Sequence, residues 1–128
     1  MTNERAAARD LAMVAARAAD AKGAHDVIVL EVGDVLVVAD EFVIASASND
    51  RLVKAIVDDV ERLVAEAGYS KPLRVEGLNH RHWVLIDYGD VIVHVFLDET
   101  REYYELERLW GDVPRLEWAD TAGAGRRG

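Results

Sequence analysis

Two neighbouring apolar segments constrain the fold of this chain more than any other feature. They are Trp83–Asp87 and Val91–Leu97, and the short Tyr88-Gly89 link between them predicts a β-hairpin. If Asp87 pairs with Asp90, one face of the hairpin carries Trp83, Leu85, Ile92 and His94, and the other face carries only aliphatic residues. Because both faces are largely apolar, we expect both strands to be central in a sheet that other elements cover on both sides.

Apolar spacing elsewhere predicts the elements that complete and cover this sheet. We expect strands at residues 25–31, 42–46 and 73–75, and helices at residues 5–22, 50–67 and 98–110; residues 35–38 fit either a strand or a loop. The strand, helix and strand of residues 42–75 predict a unit with a right-handed crossover. The first helix presents mainly alanine, so we expect it to pack weakly. The pattern predicts a single α/β domain with a mixed sheet of four to five strands.

The length and the charge narrow the function classes. A chain of 128 residues is one ordinary domain, which we expect at residues 1–118, followed by a disordered tail at 119–128. The absence of cysteine excludes disulfides and thiolate chemistry. No apolar run is long enough for a membrane span, and residues 1–5 do not begin a secretory signal, so we expect a cytoplasmic protein. The net charge of −9 disfavours phosphate backbones and anionic membranes and favours a basic protein partner.

Side chains that could carry chemistry are few. His80, His82 and His94 invite a metal site, but His82 and His94 lie on opposite faces in the predicted register, so ordinary histidines are favoured. Asp87 and Asp90 flank the hairpin turn and could together bind a metal or act in general acid–base chemistry. Aspartates at such positions more often cap turn N–H groups. Ser46, Ser48 and Asn49 precede a helix and are explained by capping. No phosphate loop, dinucleotide fingerprint or nucleophile elbow is present, so we expect no enzyme, metal or cofactor.

The segment between Leu97 and Asp120 combines acidic and aromatic residues. It contains eight acids against three bases, together with Tyr103, Tyr104, Trp110 and Trp118. Aromatic residues surrounded by acids are typical of a protein-binding patch. A core helix with a solvated acidic face explains the same composition, and composition alone does not separate the two interpretations.

Three segments in the second half form a specific pattern. They are RVEG at residues 74–77, WVLIDYGDVIVHVF at 83–96 and REYYELERLW at 101–110. With the first helix, they closely resemble the ribosomal silencing factor family, also called RsfS or Iojap, over nearly the whole chain to about Leu116. Two places depart from the family pattern: Ser46-Ala47-Ser48 stands where Gly-Thr-Ser is common, and Glu41 stands at a commonly aromatic position.

The resemblance implies a non-enzymatic role on the ribosome. Such factors bind the large subunit at its universal protein numbered fourteen, on the intersubunit face, and block joining of the small subunit when nutrients are scarce. They also act in large-subunit assembly in organelles. The implied fold is a mixed sheet flanked by helices, nucleotidyltransferase-like but without the active site, and free members tend to be homodimers. Little direct nucleic-acid contact is expected for so acidic a chain.

We expect the Trp83 strand, its turn and the start of the last helix to form the surface that contacts the partner. The predicted partner-binding residues are Trp83, Leu85, Asp87, Tyr88, Asp90, Arg101 and Tyr104. Trp83 would be an aromatic anchor and the two aspartates would meet Lys or Arg of the partner. Alternatively, Trp83 is a core residue, or the strand serves dimer contacts. Two rival functions stay open: a nucleotidyltransferase-like enzyme using Asp87, Asp90 and a divalent ion, and a generic acidic adaptor.

Overall fold

The structure, a computed structural model, describes residues 2–36 and 39–119. The expected tail lies outside these residues except for Ala119, as do two of the four undecided residues at 35–38. No helix within the described ranges is long and apolar enough to cross a membrane. The elements in chain order are α1 (Thr2–Lys22), β1 (His25–Glu31), β2 (Glu41–Ala47), α2 (Asp50–Glu66), β3 (Arg74–Glu76), β4 (Trp83–Asp87), β5 (Val91–Leu97), α3 (Asp98–Tyr104) and a 3₁₀ helix (Leu106–Trp110).

The strands form one five-stranded mixed sheet in the order β1-β2-β5-β4-β3. Only the β2–β5 pair is parallel, and the other three pairs are antiparallel. The α/β class and the internal position of both hairpin strands are therefore confirmed. The predicted strand, helix and strand unit is present as β2, α2 and β3, because β3 is antiparallel to β4 and therefore parallel to β5 and β2. The β4–β5 hairpin lies between β2 and β3 in the sheet.

The hairpin register differs from the predicted one by two residues. Leu85 pairs with His94 and Trp83 pairs with Phe96, because the loop is centred on Gly89-Asp90 rather than on Tyr88-Gly89. Gly89 has a φ of +92° and occupies the first central position of the turn, where a two-residue hairpin favours a residue that tolerates positive φ. A shift of two residues keeps every side chain on its predicted face.

Two helices cover one face of the sheet. The buried stripe of α2 contains Val53, Val57, Val60 and Val64, and α2 begins at the Asn49 cap, whose side chain accepts the Leu52 N–H at 2.8 Å. The expectation that α1 packs weakly is wrong. Its small side chains let the helix approach the sheet and α2 closely, so the following alanines are fully buried: Ala12, Ala15, Ala16 and Ala19.

The opposite face of the sheet is only partly covered. The predicted long last helix is wrong, because Glu105 adopts a left-handed conformation with φ +48° and ends α3 at Tyr104. The 3₁₀ helix that follows packs over the β1–β2 side of this face through Leu106 and Trp110. The next segment protects the free edge of β1, where Glu31 N donates to the Pro114 carbonyl at 2.9 Å. On the β4–β3 side of this face, the end of α3 lies beside β4, where Tyr104 contacts Trp83.

Candidate functional site

The uncovered part of the sheet displays an aromatic surface. We use this name for Trp83 and Leu85 of β4, Tyr104 of α3, and the residues His94 and Phe96 of β5 beneath them. Trp83 and Leu85 are half-buried and Tyr104 is 54% exposed, whereas His94 and Phe96 are buried. The strand alternation of β4 and β5 places these side chains on one face, and the end of α3 brings Tyr104 over it.

Ring contacts connect this surface from solvent to core. The ring centroids of Tyr103 and Tyr104 are 5.0 Å apart, those of Tyr104 and Trp83 are 5.1 Å apart, and those of Trp83 and Phe96 are 4.7 Å apart. Such distances are typical of favourable aromatic pairs. The inner side of Trp83 therefore packs on the core, while Tyr104 and open surface flank its other side.

A hydrogen bond fixes the orientation of Trp83. Its indole Nε1–H donates to Nδ1 of His94 at 3.1 Å. Burial lowers the pKa of His94 to about 4, so the imidazole is neutral at pH 7 and carries its proton on Nε2. That Nε2 has no hydrogen-bond partner within the described residues, and the His94 ring meets Phe42 edge-on at 4.9 Å. His94 is thus a positioning residue for Trp83.

The carboxylate of Asp87 is engaged within its own hairpin. Oδ1 accepts the Gly89 N–H at 2.8 Å and Oδ2 lies 3.2 Å from Nε of Arg74. The Asp90 side chain is exposed, and its backbone carbonyl accepts the N–H of Asp40 at 2.7 Å. The described part of the chain contains no group of three His, Asp or Glu side chains arranged to hold a metal ion. Turn capping therefore explains Asp87.

Two predicted site residues lie away from the aromatic surface. Tyr88 packs against the core beneath α1 and α2, and burial raises the pKa of its hydroxyl to about 12. Arg101 is buried, and its guanidinium donates to the Asp26 carbonyl at 2.6 Å, to Ser46 Oγ at 2.7 Å and to Glu107 Oε2 at 3.0 Å. Arg101 therefore joins β1, β2 and the 3₁₀ helix, and its guanidinium is engaged inside the fold.

Sequence reasoning missed the neighbours that β3 contributes. In the β3–β4 register Glu76 pairs with Leu85, so Glu76 lies at the rim of the aromatic surface. Gly77 follows with a φ of +95°, and a Cβ there would lie 2.2 Å from the Trp83 carbonyl oxygen. A hollow of about 290 Å³ lies beside it, lined by Glu76, Gly77, His80, Trp83 and Leu85. The adjacency of the RVEG and WVLID segments required the sheet order, which the sequence does not state.

Comparisons with known proteins agree with this architecture. The family model described as "Ribosomal silencing factor during starvation" matches residues 5–127. A protein of Halalkalibacterium halodurans named ribosomal silencing factor RsfS is 39% identical over 109 residues, which are 85% of this chain and 92% of that protein. Its Bacillus subtilis namesake is 40% identical over 106 residues, covering 83% and 89% of the two chains.

A mouse relative and a solved structure extend the comparison. The mouse protein, named mitochondrial assembly of ribosomal large subunit protein 1, is 34% identical over 70% of this chain and 40% of its own length. A crystal structure of a Chromobacterium violaceum protein superposes with a TM-score of 0.78 at 31% identity, covering 90% of this chain and 94% of that one. Because the family match extends over most of the chain and the fold agrees, this protein belongs to the RsfS family of ribosomal silencing factors.

Proposed function

We propose that the protein is a cytoplasmic translational repressor that acts under starvation or in stationary phase. It binds the large ribosomal subunit through the universal protein numbered fourteen on the intersubunit face and sterically blocks joining of the small subunit. The observation that carries the proposal is the half-exposed aromatic surface around Trp83 in a chain of net charge −9. Family membership and the names of the relatives support the ribosomal partner.

The chemistry of the aromatic surface suits a basic protein. Trp83, Leu85 and Tyr104 offer apolar area that a partner would desolvate, and Glu76 lies at the rim. Large aromatic side chains in desolvated pockets commonly dominate binding energy, while charges at the rim speed and orient docking. The acids of α3 extend the negative field beside Tyr103 and Tyr104.

Repression by this surface needs no chemical step. A bound protein occupies space on the subunit face, so its potency depends on its affinity for the free large subunit relative to that of the small subunit. The curated relatives named above are silencing or assembly factors rather than enzymes, in agreement with a binding function. When it is not bound to the ribosome, the protein would be a homodimer, which light scattering of the purified chain measures.

Sedimentation with isolated ribosomal subunits tests the proposal. The wild-type protein should pellet with large subunits and not with small ones, and it should reduce the formation of joined ribosomes. Tyr104→Ala removes an exposed ring and should weaken large-subunit binding at least about tenfold, with little change in Tm. The proposal is contradicted if the wild-type protein does not bind large subunits, or if it binds them without reducing subunit joining.

A matched pair of charge reversals locates the contact. Glu76→Lys changes the rim of the aromatic surface, and Glu66→Lys makes the same change on α2, on the other side of the sheet. Each glutamate forms an exposed ion pair with an arginine, at 3.6 Å for Glu76 and 3.2 Å for Glu66, so the two variants lose similar interactions. Binding should fall only for Glu76→Lys, and equal binding by the two variants would contradict this placement.

A further inference from the structure

Glu41 is a buried carboxyl group at the start of β2. The residue is only 4% exposed, and its Oε1 atom is buried without a hydrogen-bond partner among the described residues. It lines a cavity of about 210 Å³ that lies between α1, the β1–β2 turn and Pro114. A buried carboxylate normally needs a cation or several donors, so this group is an exception that calls for a physical explanation.

The arginines near Glu41 do not neutralise a negative charge on its carboxylate. On α1, Nη2 of Arg9 lies 2.7 Å from Oε1 of Glu31, and Nη2 of Arg5 lies 3.4 Å from Oδ1 of Asp34. Both arginine side chains are more than half exposed, at 51% for Arg9 and 58% for Arg5. The nearby arginines are therefore already paired with other acids and are screened by solvent.

The neighbouring acids oppose a negative charge on Glu41. Glu31 of β1 pairs directly with Glu41 in the β1–β2 register, and Asp40 precedes it in the chain. The β4–β5 turn contributes no cation, only the Asp90 carbonyl that accepts the Glu41 N–H at 3.2 Å. Burial and then the charges of Asp40 and Glu31 raise the pKa of Glu41 to about 7, whereas Arg9 and Arg5 lower it.

We propose that Glu41 is a proton-binding site that controls how firmly the N-terminal half of α1 packs on β1 and β2. The neutral acid fits the cavity beneath Arg5 and Arg9, so the protonated protein holds α1 closed. Loss of the proton places an uncompensated negative charge beside Glu31 and Asp40. This charge is stabilised only if water or an arginine side chain enters the cavity. The carboxylate form therefore loosens the first turns of α1 as the pH rises from 6 to 8.

Unfolding measured at several pH values tests the energetic part. Glu41→Gln keeps the shape and removes the titration, and Asp34→Asn is the matched control, because Asp34 lines the same cavity with a side chain that is 90% exposed. The pKa of Glu41 is 4.5 in the unfolded chain and about 7 in the folded protein. Proton linkage therefore makes the unfolding equilibrium constant of the wild type about tenfold larger at pH 8 than at pH 6, relative to that of Glu41→Gln. Asp34→Asn should keep the wild-type pH dependence.

Two further measurements test the device itself. Hydrogen exchange, corrected for the intrinsic pH dependence, should show the α1 amides of residues 6–12 less protected at pH 8 than at pH 6 in the wild type, and equally protected in Glu41→Gln. The carboxyl ¹³C resonance of Glu41 in the wild type should titrate near pH 7, and this measurement stands even if the variant does not fold. A midpoint below pH 5, or exchange that changes equally in both proteins, overturns the proposal.

Discussion

Trp83→Phe tests the hydrogen bond that orients the centre of the aromatic surface. Phenylalanine keeps a ring against Phe96 but removes the Nε1–H that donates to His94 at 3.1 Å. His94 is only 4% exposed, so water does not replace the lost donor at its Nδ1. Leaving a buried acceptor unpaired lowers the free energy of unfolding by about 1–3 kcal/mol. We expect a loss of about 2 kcal/mol for this variant, which corresponds to a decrease of roughly 8 °C in Tm.

Urea unfolding at pH 7, followed by far-ultraviolet circular dichroism, measures this cost without relying on the fluorescence of the substituted tryptophan. The same substitution is then made in a His94→Leu background, where the acceptor no longer exists. There Trp83→Phe should cost at least about 1 kcal/mol less than in the wild type, because the two residues are coupled. The reasoning is refuted if the substitution costs under about 0.5 kcal/mol in the wild type, or the same amount in both backgrounds.

Three further predictions concern the groups that hold the fold. Asn49→Ala should cost about 1 kcal/mol in urea unfolding because it removes the α2 cap, whereas Ser48→Ala should cost almost nothing. Arg101→Ala should lower the free energy of unfolding by about 3–5 kcal/mol, because it leaves the partly buried Glu107 carboxylate without its cation. Calorimetry should show the lowered Tm. Burial lowers the pKa of His94 to about 4, so on acidification the unfolded chain binds a proton at this residue before the folded protein does. The free energy of unfolding should therefore fall by up to about 3 kcal/mol from pH 6.5 to pH 4. His94→Leu should abolish this contribution to the pH dependence.

The boundaries and faces of the central hairpin follow from the sequence because its pattern is local. Trp83–Asp87 and Val91–Leu97 are continuous apolar segments, and a two-residue turn leaves little freedom in how such strands meet. The register was wrong by two residues because Gly89 has two possible places in a short turn, and only the closed hairpin shows which one it occupies. Trp83, Leu85 and Asp87 still share one face, since an even shift preserves alternation.

The prediction of one long last helix was wrong, and the burial of Arg101 was not foreseen, because local pattern competes there with distant contacts. Tyr103, Leu106 and Trp110 have helical spacing, but Glu105 reverses the chain so that Leu106 and Trp110 pack on the sheet while Tyr103 remains 80% exposed. Arg101 belongs to an acidic, aromatic segment that is typical of a surface. Its partners come from β1 and β2, far away in the chain, so no local pattern indicates its burial.

The sequence by itself determined the α/β class, the apolar strands and the acidic character of this protein, because periodicity and charge are properties of neighbouring residues. Only the tertiary structure decided that β3 borders β4, which brings Glu76 beside Leu85, and that α3 ends over Trp83. It alone also decided that Glu41 is buried beneath α1 without a partner for Oε1. Sheet order and burial depend on contacts between distant segments, which many arrangements of the same local elements would satisfy differently.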